Sequence, residues 1–252
     1  MSRNTIIGII AVLLVGGGII WYVQKQSNTD SSQPYGTISS SPVTSSSPVT
    51  QTKGKVIFSV TDAAASMQNI SSVQMTVGKV ELYNETGGWI TVSNETKQFD
   101  LLKLKTTGKF AFEATADVPT GTYNQIRMHV DKVIVVQSGV AKQAKLPSAE
   151  LKINGDVRVV SGATTSVKLD FLADKSLHVT GKGEFVFAPV IKLEIRSGAN
   201  VKITSDGNVN IQGGTVDVDV NEGMDINGEM KENFILKIDS NLEIDGGVIK
   251  LK

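Results

Sequence analysis

Cysteine is absent from the 252 residues. Its absence excludes disulfides, thiolate zinc sites, a cysteine nucleophile and a lipid-modified N-terminal cysteine. It leaves location open, because a domain of this size can bury a core without covalent staples. Histidine is scarce: His129 and His178 are the two in the chain. A zinc site would need both to converge with a carboxylate, and their spacing gives no support for that. Net charge is also missing, with 25 basic against 25 acidic residues, so there is no basic footprint for nucleic acid. Aromatics are 6% of the chain, few for a carbohydrate platform built on several exposed rings. No Gly-x-Ser-x-Gly occurs and no Ser-x-x-Lys opens a helix, so no serine nucleophile is placed. No catalytic residue and no cofactor is expected.

Charge is also absent from Thr5 to Val23 (TIIGIIAVLLVGGGIIWYV), a run of 19 residues. At about 1.5 Å per helical residue it is long enough to cross the hydrocarbon core of a bilayer. A cleaved signal peptide has a shorter apolar core followed by small residues. Here Gly16–Gly18 are small, but Ile19, Ile20, Trp21, Tyr22 and Val23 follow. Trp21 and Tyr22 suit the membrane interface. An uncleaved signal anchor over residues 1–26 is therefore expected, with cleavage at the triple glycine as the alternative. Arg3 before the run weakly favours a cytoplasmic N-terminus, against Lys25 just after it. The remainder would then lie outside the cytoplasm.

Residues 27–53 are rich in Ser, Thr and Pro, and SSSPVT occurs twice, at Ser39–Thr44 and Ser45–Thr50. With almost nothing apolar to bury, this stretch is expected to be a disordered stalk. From Lys55 onward short runs alternate apolar and polar residues, as in Lys55–Val60, Val73–Val77, Lys79–Tyr83, Trp89–Val92, Gln125–Val130, Lys132–Gln137, Ser166–Phe171 and Glu184–Ile195. Gly, Asn, Ser and Pro bound them. The pattern predicts an all-β, antiparallel sandwich. One short helix is expected after Asp62, an N-cap ahead of Ala63–Met67. Gly181-Lys-Gly183 reads as a hairpin turn, since Val186 stands where a phosphate loop would need its third glycine.

After Arg196 an imperfect repeat begins: Lys202–Val218 matches Lys237–Leu251 as strand, strand, Gly-Gly, strand. Gly213-Gly214 and Gly246-Gly247 fit turns that need φ > 0. Residues 197–252 are expected to pack on the main domain or on a second copy of themselves. Asp217 and Asp219 share one face of the strand Thr215–Val220, with Asp206, Glu222 and Asp225 nearby. Carboxylates suit Ca²⁺, which makes Asp206, Asp217 and Asp219 a possible calcium site. However, Asp206–Asn210 lacks the full EF-hand spacing, and an acidic edge that resists strand pairing explains the same residues. Arg127, His129 and Asp131 form an outward row able to meet an anion or simply solvent, and His178 alternates with Leu177 and Val179 in the same way. Asn69, Asn84 and Asn94 begin N-x-[ST] sequons and are possible glycosylation sites.

Five pieces recur in a consistent order: Val60-Thr-Asp-Ala63, Phe99-Asp-Leu-Leu102, Val118-Pro-Thr-Gly-Thr-Tyr-Asn-Gln-Ile-Arg-Met128, Val167-Lys-Leu-Asp-Phe171 and Phe185-Val-Phe-Ala-Pro-Val-Ile-Lys192. In these pieces residues 54–196 resemble the DUF4382 family of exported bacterial and archaeal proteins. Ala64 departs from the proline common at that point. The resemblance implies an extracytoplasmic sandwich of prealbumin or immunoglobulin type and carries over no catalytic residue. The expected function is binding or assembly at the cell envelope without catalysis. Its partners would be the membrane through Thr5–Val23, an envelope protein or glycan, or a second copy through residues 201–252. The competing class is a metal- or carboxylate-dependent envelope hydrolase.

Overall fold

The computed structural model describes residues 52–62, 67–237 and 241–252, together with a short antiparallel pairing of Leu14–Val15 with Gly18–Ile19. The rest of the Thr5–Val23 run, the stalk up to Gln51 and residues 63–66 of the helix expected over Ala63–Met67 lie outside the described residues, and Met67 is not helical. Among the described residues no helix is long and apolar enough to cross a membrane.

The described residues from Thr52 onward belong to one compact unit. Its strands are β1 (Lys53–Thr61), β2 (Ile70–Asn84), β3 (Gly88–Ser93), β4 (Lys97–Asp100), β5 (Ala111–Pro119), β6 (Gly121–Gln137), β7 (Val140–Ala144), β8 (Glu150–Val159) and β9 (Thr164–Phe171). After these come β10 (Leu177–Val179), β11 (Phe185–Phe187), β12 (Val190–Ser197), β13 (Asn200–Ile203), β14 (Val209–Gln212), β15 (Thr215–Met224), β16 (Met230–Glu232), β17 (Leu242–Asp245) and β18 (Val248–Leu251). Two helices interrupt them, α1 (Leu101–Thr107) and α2 (Ala173–Ser176).

The first large sheet runs β8-β6-β2-β3, with β4 also on β2 and β7 also on β6. The second runs β16-β15-β12-β9-β1-β5. Every pairing in them is antiparallel except β1 with β9, which is parallel. The expectation of a purely antiparallel fold is corrected at this point. Strands β1 and β9 are far apart in sequence and need no hairpin to join them, so either direction is sterically open. Val56, Phe58 and Val60 of β1, Val167 and Leu169 of β9, Met75 and Leu82 of β2, and Ile126, Met128 and Val130 of β6 belong to one buried apolar cluster. Both sheets thus turn their alternate apolar side chains into a shared core.

Several expected short strands merge. Val73–Val77 and Lys79–Tyr83 are halves of β2, and Gln125–Val130 and Lys132–Gln137 are halves of β6. A register shift between Val77 and Val80 joins the halves of β2 without breaking its pairing to β6. Such a bulge inverts the local alternation, which is why the sequence pattern looks interrupted.

Helix α1 is absent from the sequence expectations. Asp100 caps it by accepting from the Lys103 backbone N at 3.4 Å, and Gly108 ends it at φ 62° with its N–H on the Lys105 carbonyl at 3.1 Å. These are ordinary start and stop signals on a helix too short to show a period. Asp62, expected to cap the helix after it, accepts from the backbone N of Ala173 at 3.3 Å, at the first residue of α2.

In the repeated tail all four paired glycines have positive φ: 63° and 74° at Gly213 and Gly214, 55° and 82° at Gly246 and Gly247. The two copies nevertheless fold differently. In the second, Gly246-Gly247 closes the hairpin β17–β18, with Asp245 opposite Val248. In the first, β13 pairs β14, and the strand after Gly213-Gly214 leaves to pair with β12 of the second large sheet. The tail therefore packs on the main domain. Leu242 and Ile249 of the last hairpin form a small cluster with Val186, Ala188 and Leu236.

Candidate functional site

The outward face of the first sheet carries the densest array of interacting side chains. Ile126, Met128 and Val130 point inward along β6, so Gln125, Arg127 and His129 point outward. Register then aligns three outward rows. Trp89, Tyr83, Gln125 and Asn154 lie side by side on β3, β2, β6 and β8, and Thr91, Glu81, Arg127 and Lys152 lie in the next row. His129 is opposite Glu150 in the third.

Glu81 anchors this face. Its Oε2 meets Arg127 Nη2 at 2.5 Å and Nε at 2.7 Å, and its Oε1 meets Lys79 Nζ at 2.5 Å. Burial, the largest single influence, raises the pKa of Glu81. The hydrogen bonds from Lys79 and Arg127 and their charges together outweigh it and hold the carboxyl below its ordinary value. The Arg127 guanidinium lies 4.0 Å from the centroid of Trp89, whose ring sits 5.1 Å from that of Tyr83 at 47°. Stacking and the forked ion pair fix the arginine plane from two sides. Gln125 donates to Asn154 Oδ1 at 3.2 Å. The arrangement is a plate of two aromatic rings and planar polar groups. Such a plate can offer amide hydrogen bonds beside aromatic rings that take C–H contacts.

The other sequence-derived residues fall elsewhere. His129 Nε2 is 3.4 Å from Asp131 Oδ1. Arg127 is engaged by Glu81, so both basic side chains of the outward row already lie against a carboxylate. His178 corrects its expectation: it is buried, not outward, with neither ring nitrogen hydrogen-bonded. Leu177, Phe185 and Phe187 of the hairpin β10–β11 turn into the main core, while Val186, opposite His178, joins the cluster under the C-terminal hairpin. Both faces of this hairpin are covered, so alternation there does not separate inside from outside. Burial holds the His178 pKa below its ordinary value.

Asp206, Asp217 and Asp219 are not gathered into a metal site, and among the described residues no three Asp, Glu or His side chains are placed to hold one. Asp206 accepts from the Thr204 hydroxyl and pairs with Lys109 at 2.9 Å, which together hold its pKa well below the usual carboxylate range. Asp219 pairs with Lys192 at 3.1 Å. Hairpin β13–β14 carries Asp206 while β15 carries the other two, Asp206 and Asp219 are paired with different lysines, and Asp217 is exposed. Asp225 accepts from the backbone N of Asn227 and Glu229 and pairs with Lys231 at 2.5 Å. Asn69 is exposed in a turn at φ 63°, and Asn94 is exposed between β3 and β4. The Asn84 side chain is engaged in its own turn, accepting from the Gly87 backbone N.

The burial of two carboxyls was not readable from the sequence, one of them that of Glu222, named above among the acids of the tail. Glu113 is fully buried with both carboxyl oxygens unpartnered, and burial pushes its pKa up to about 7. It is the extra residue of a bulge, since Ala114 pairs Phe58 and Phe112 pairs Ser59. Glu222, also pushed to about 7 by burial, accepts from the Asn154 backbone N with both oxygens, at 3.0 and 3.3 Å. Asn154 sits at the register shift of β8, where its N–H has left the ladder. A bulge shows in a sequence only as a broken alternation, so neither glutamate had a signal beyond that.

No curated protein and no solved structure matches this chain. A family model described as a domain of unknown function, DUF4382, matches residues 53–189, more than half of the sequence. Four of the five pieces fall inside that span, the fifth, Phe185–Lys192, runs three residues beyond it, and the chain belongs to the DUF4382 family.

Proposed function

We propose that this is a membrane-tethered, extracytoplasmic β-sandwich of prealbumin or immunoglobulin type that binds a saccharide of the cell envelope and performs no catalysis. The observation that carries the reading is the outward plate of the first sheet, with the Tyr83–Trp89 pair beside Arg127 and the amides of Gln125 and Asn154 in register. Saccharides are recognised by hydrogen-bonding side chains next to aromatic rings, whose electron-rich faces take the sugar C–H groups, and this plate supplies amides and rings together without a concentration of one charge. The tether rests on the apolar run Thr5–Val23 and the Ser/Thr/Pro stretch behind it.

Two experiments test it. Protease added to intact cells should shed the domain from the membrane fraction; a protected domain overturns the topology. Full-length chain in mild detergent should be retained by purified envelope polysaccharide, and Trp89→Ala and Arg127→Ala should each reduce retention at least several-fold. Equal retention of both variants and the parent overturns the saccharide reading.

A further inference from the structure

The second large sheet ends in an open edge. Strand β15 pairs with β12 along one side from Thr215 to Gly223, while β16 covers the other side only at Glu222–Met224. The Asn221 carbonyl accepts from Asn233 N. Among the described residues no strand pairs with the outer side of Thr215–Val220. Strand β18 is likewise one-sided, pairing among the described residues with β17 alone, and its Val248 and Leu251 are 58% and 52% exposed.

The internal repeat makes these two strands equivalents with opposite charge. Thr215-Val-Asp-Val-Asp219 aligns with Val248-Ile-Lys-Leu-Lys252, so Lys250 stands where Asp217 does and Lys252 where Asp219 does. Asp217, Asp219, Lys250 and Lys252 are all exposed. Their present partners are exposed ion pairs, Lys192 with Asp219 at 3.1 Å and Asp245 with Lys250 at 2.8 Å. Pairs of that kind hold weakly and exchange readily.

We propose that chains associate head to tail, with the C-terminal strand β18 of one copy adding antiparallel to the open edge of β15 in the next. The register that matches charge puts Asp217 opposite Lys252, Val218 opposite Leu251 and Asp219 opposite Lys250. Apolar side chains then meet on the core-facing side and ion pairs form on the solvent side. Pairing of β15 with β15 of a second copy would set Asp217 against Asp219 and is disfavoured for the same reason. A head-to-tail contact leaves one edge and one tail free at the ends, so it generates open-ended chains rather than closed dimers. This association does not depend on the saccharide plate, which lies on the other sheet.

The absence of cysteine permits a clean test with the full-length chain in mild detergent. Val218→Cys and Leu251→Cys chains, mixed and oxidised, should form disulfide-linked heterodimers. Either variant alone should cross-link far less. Sedimentation should show oligomers for the parent chain and their loss in D217K/D219K and in K250D/K252D. Mixing those two variants, or combining all four changes in one chain, should restore them. A monomeric parent chain, preferential Val218→Cys homodimers, or a fourfold variant that stays monomeric would each overturn the proposal.

Discussion

Glu113 offers the sharpest test of the packing described above. Its carboxyl is fully buried and unpartnered, and its pKa lies at about 7 against an ordinary 4.5. A carboxyl raised on folding contributes its stability below the unfolded pKa, and that contribution is lost as pH rises through the folded one. The full shift corresponds to about 3 kcal/mol, of which roughly 2 kcal/mol is lost between pH 5.5 and 8.5. Glu113→Gln keeps the shape but cannot ionise. Any fixed cost of its buried amide is the same at both pH values and cancels in the comparison. Urea unfolding of parent and variant at pH 5.5 and 8.5 should therefore show a parent that weakens more on alkalinisation, by about 2 kcal/mol. Glu222 adds a slope of the same sign to both proteins and drops out. Identical pH slopes in parent and variant would refute the burial of Glu113 as an uncompensated acid.

Three further outcomes are expected. His178→Leu should stabilise the fold by roughly 1–3 kcal/mol in urea unfolding at pH 7, because two unpartnered ring nitrogens are removed from the interior. The gain should grow below pH 6.5, since the depressed pKa of His178 means that its unfolded form takes up a proton before the folded form does. A loss of stability at every pH would show that the imidazole has a partner. Gly223→Ala should destabilise by about 1–3 kcal/mol in the same assay, since a Cβ there would land on the backbone carbonyl of Phe234; an unchanged midpoint would contradict that approach. Ending the chain after Ser197 should abolish cooperative thermal unfolding, although the family match stops at residue 189. A sharp transition in the truncated chain would show that the tail is dispensable.

The legible part of the fold was the part written in period two. In β1, Ile57 and Ser59 are buried along with Val56, Phe58 and Val60 because both faces of that stretch are covered, whereas Ile126, Met128 and Val130 alternate with Arg127 and His129 and are buried as that pattern requires. The Arg127–His129 row was placed outward correctly for that reason. Legibility failed wherever a residue's environment depended on a distant strand. His178 alternates like a surface residue, yet the C-terminal hairpin covers its outer side. Glu81 looks like any exposed strand glutamate until β6 places Arg127 opposite it. The Tyr83–Trp89 contact needed only the hairpin around Asn84–Gly88, which the turn residues announce, but its worth as a plate needed β6 and β8 beside it. Helix α1 carried readable caps on a body of 7 residues, too few for a helical period to emerge.

The apparent boundary near Arg196 illustrates the same point in energetic form. Sequence divides there, because a repeat begins and the family pattern ends. Physics does not, because Ile191, Leu193 and Ile195 of β12 lie on the core side of a strand whose outer edge is paired by β15. Val218 and Val220 pack against that same core. Glu222 then reaches from β15 to the Asn154 N–H that the bulge of β8 has released. Removing β15 would expose one strand edge, uncover one side of the core and leave the part-buried Asn154 N–H without its acceptor at once, and each of these is costly to a sheet. The second repeat has no such vacancy to fill. Its third strand, β18, finds β12 already paired, stays a hairpin partner of β17, and leaves its outer edge open. The same strand–Gly-Gly–strand sequence thus completes a sheet in its first copy and presents an unpaired strand in its second. The substitution of Lys250 and Lys252 for Asp217 and Asp219 makes the two products complementary rather than alike.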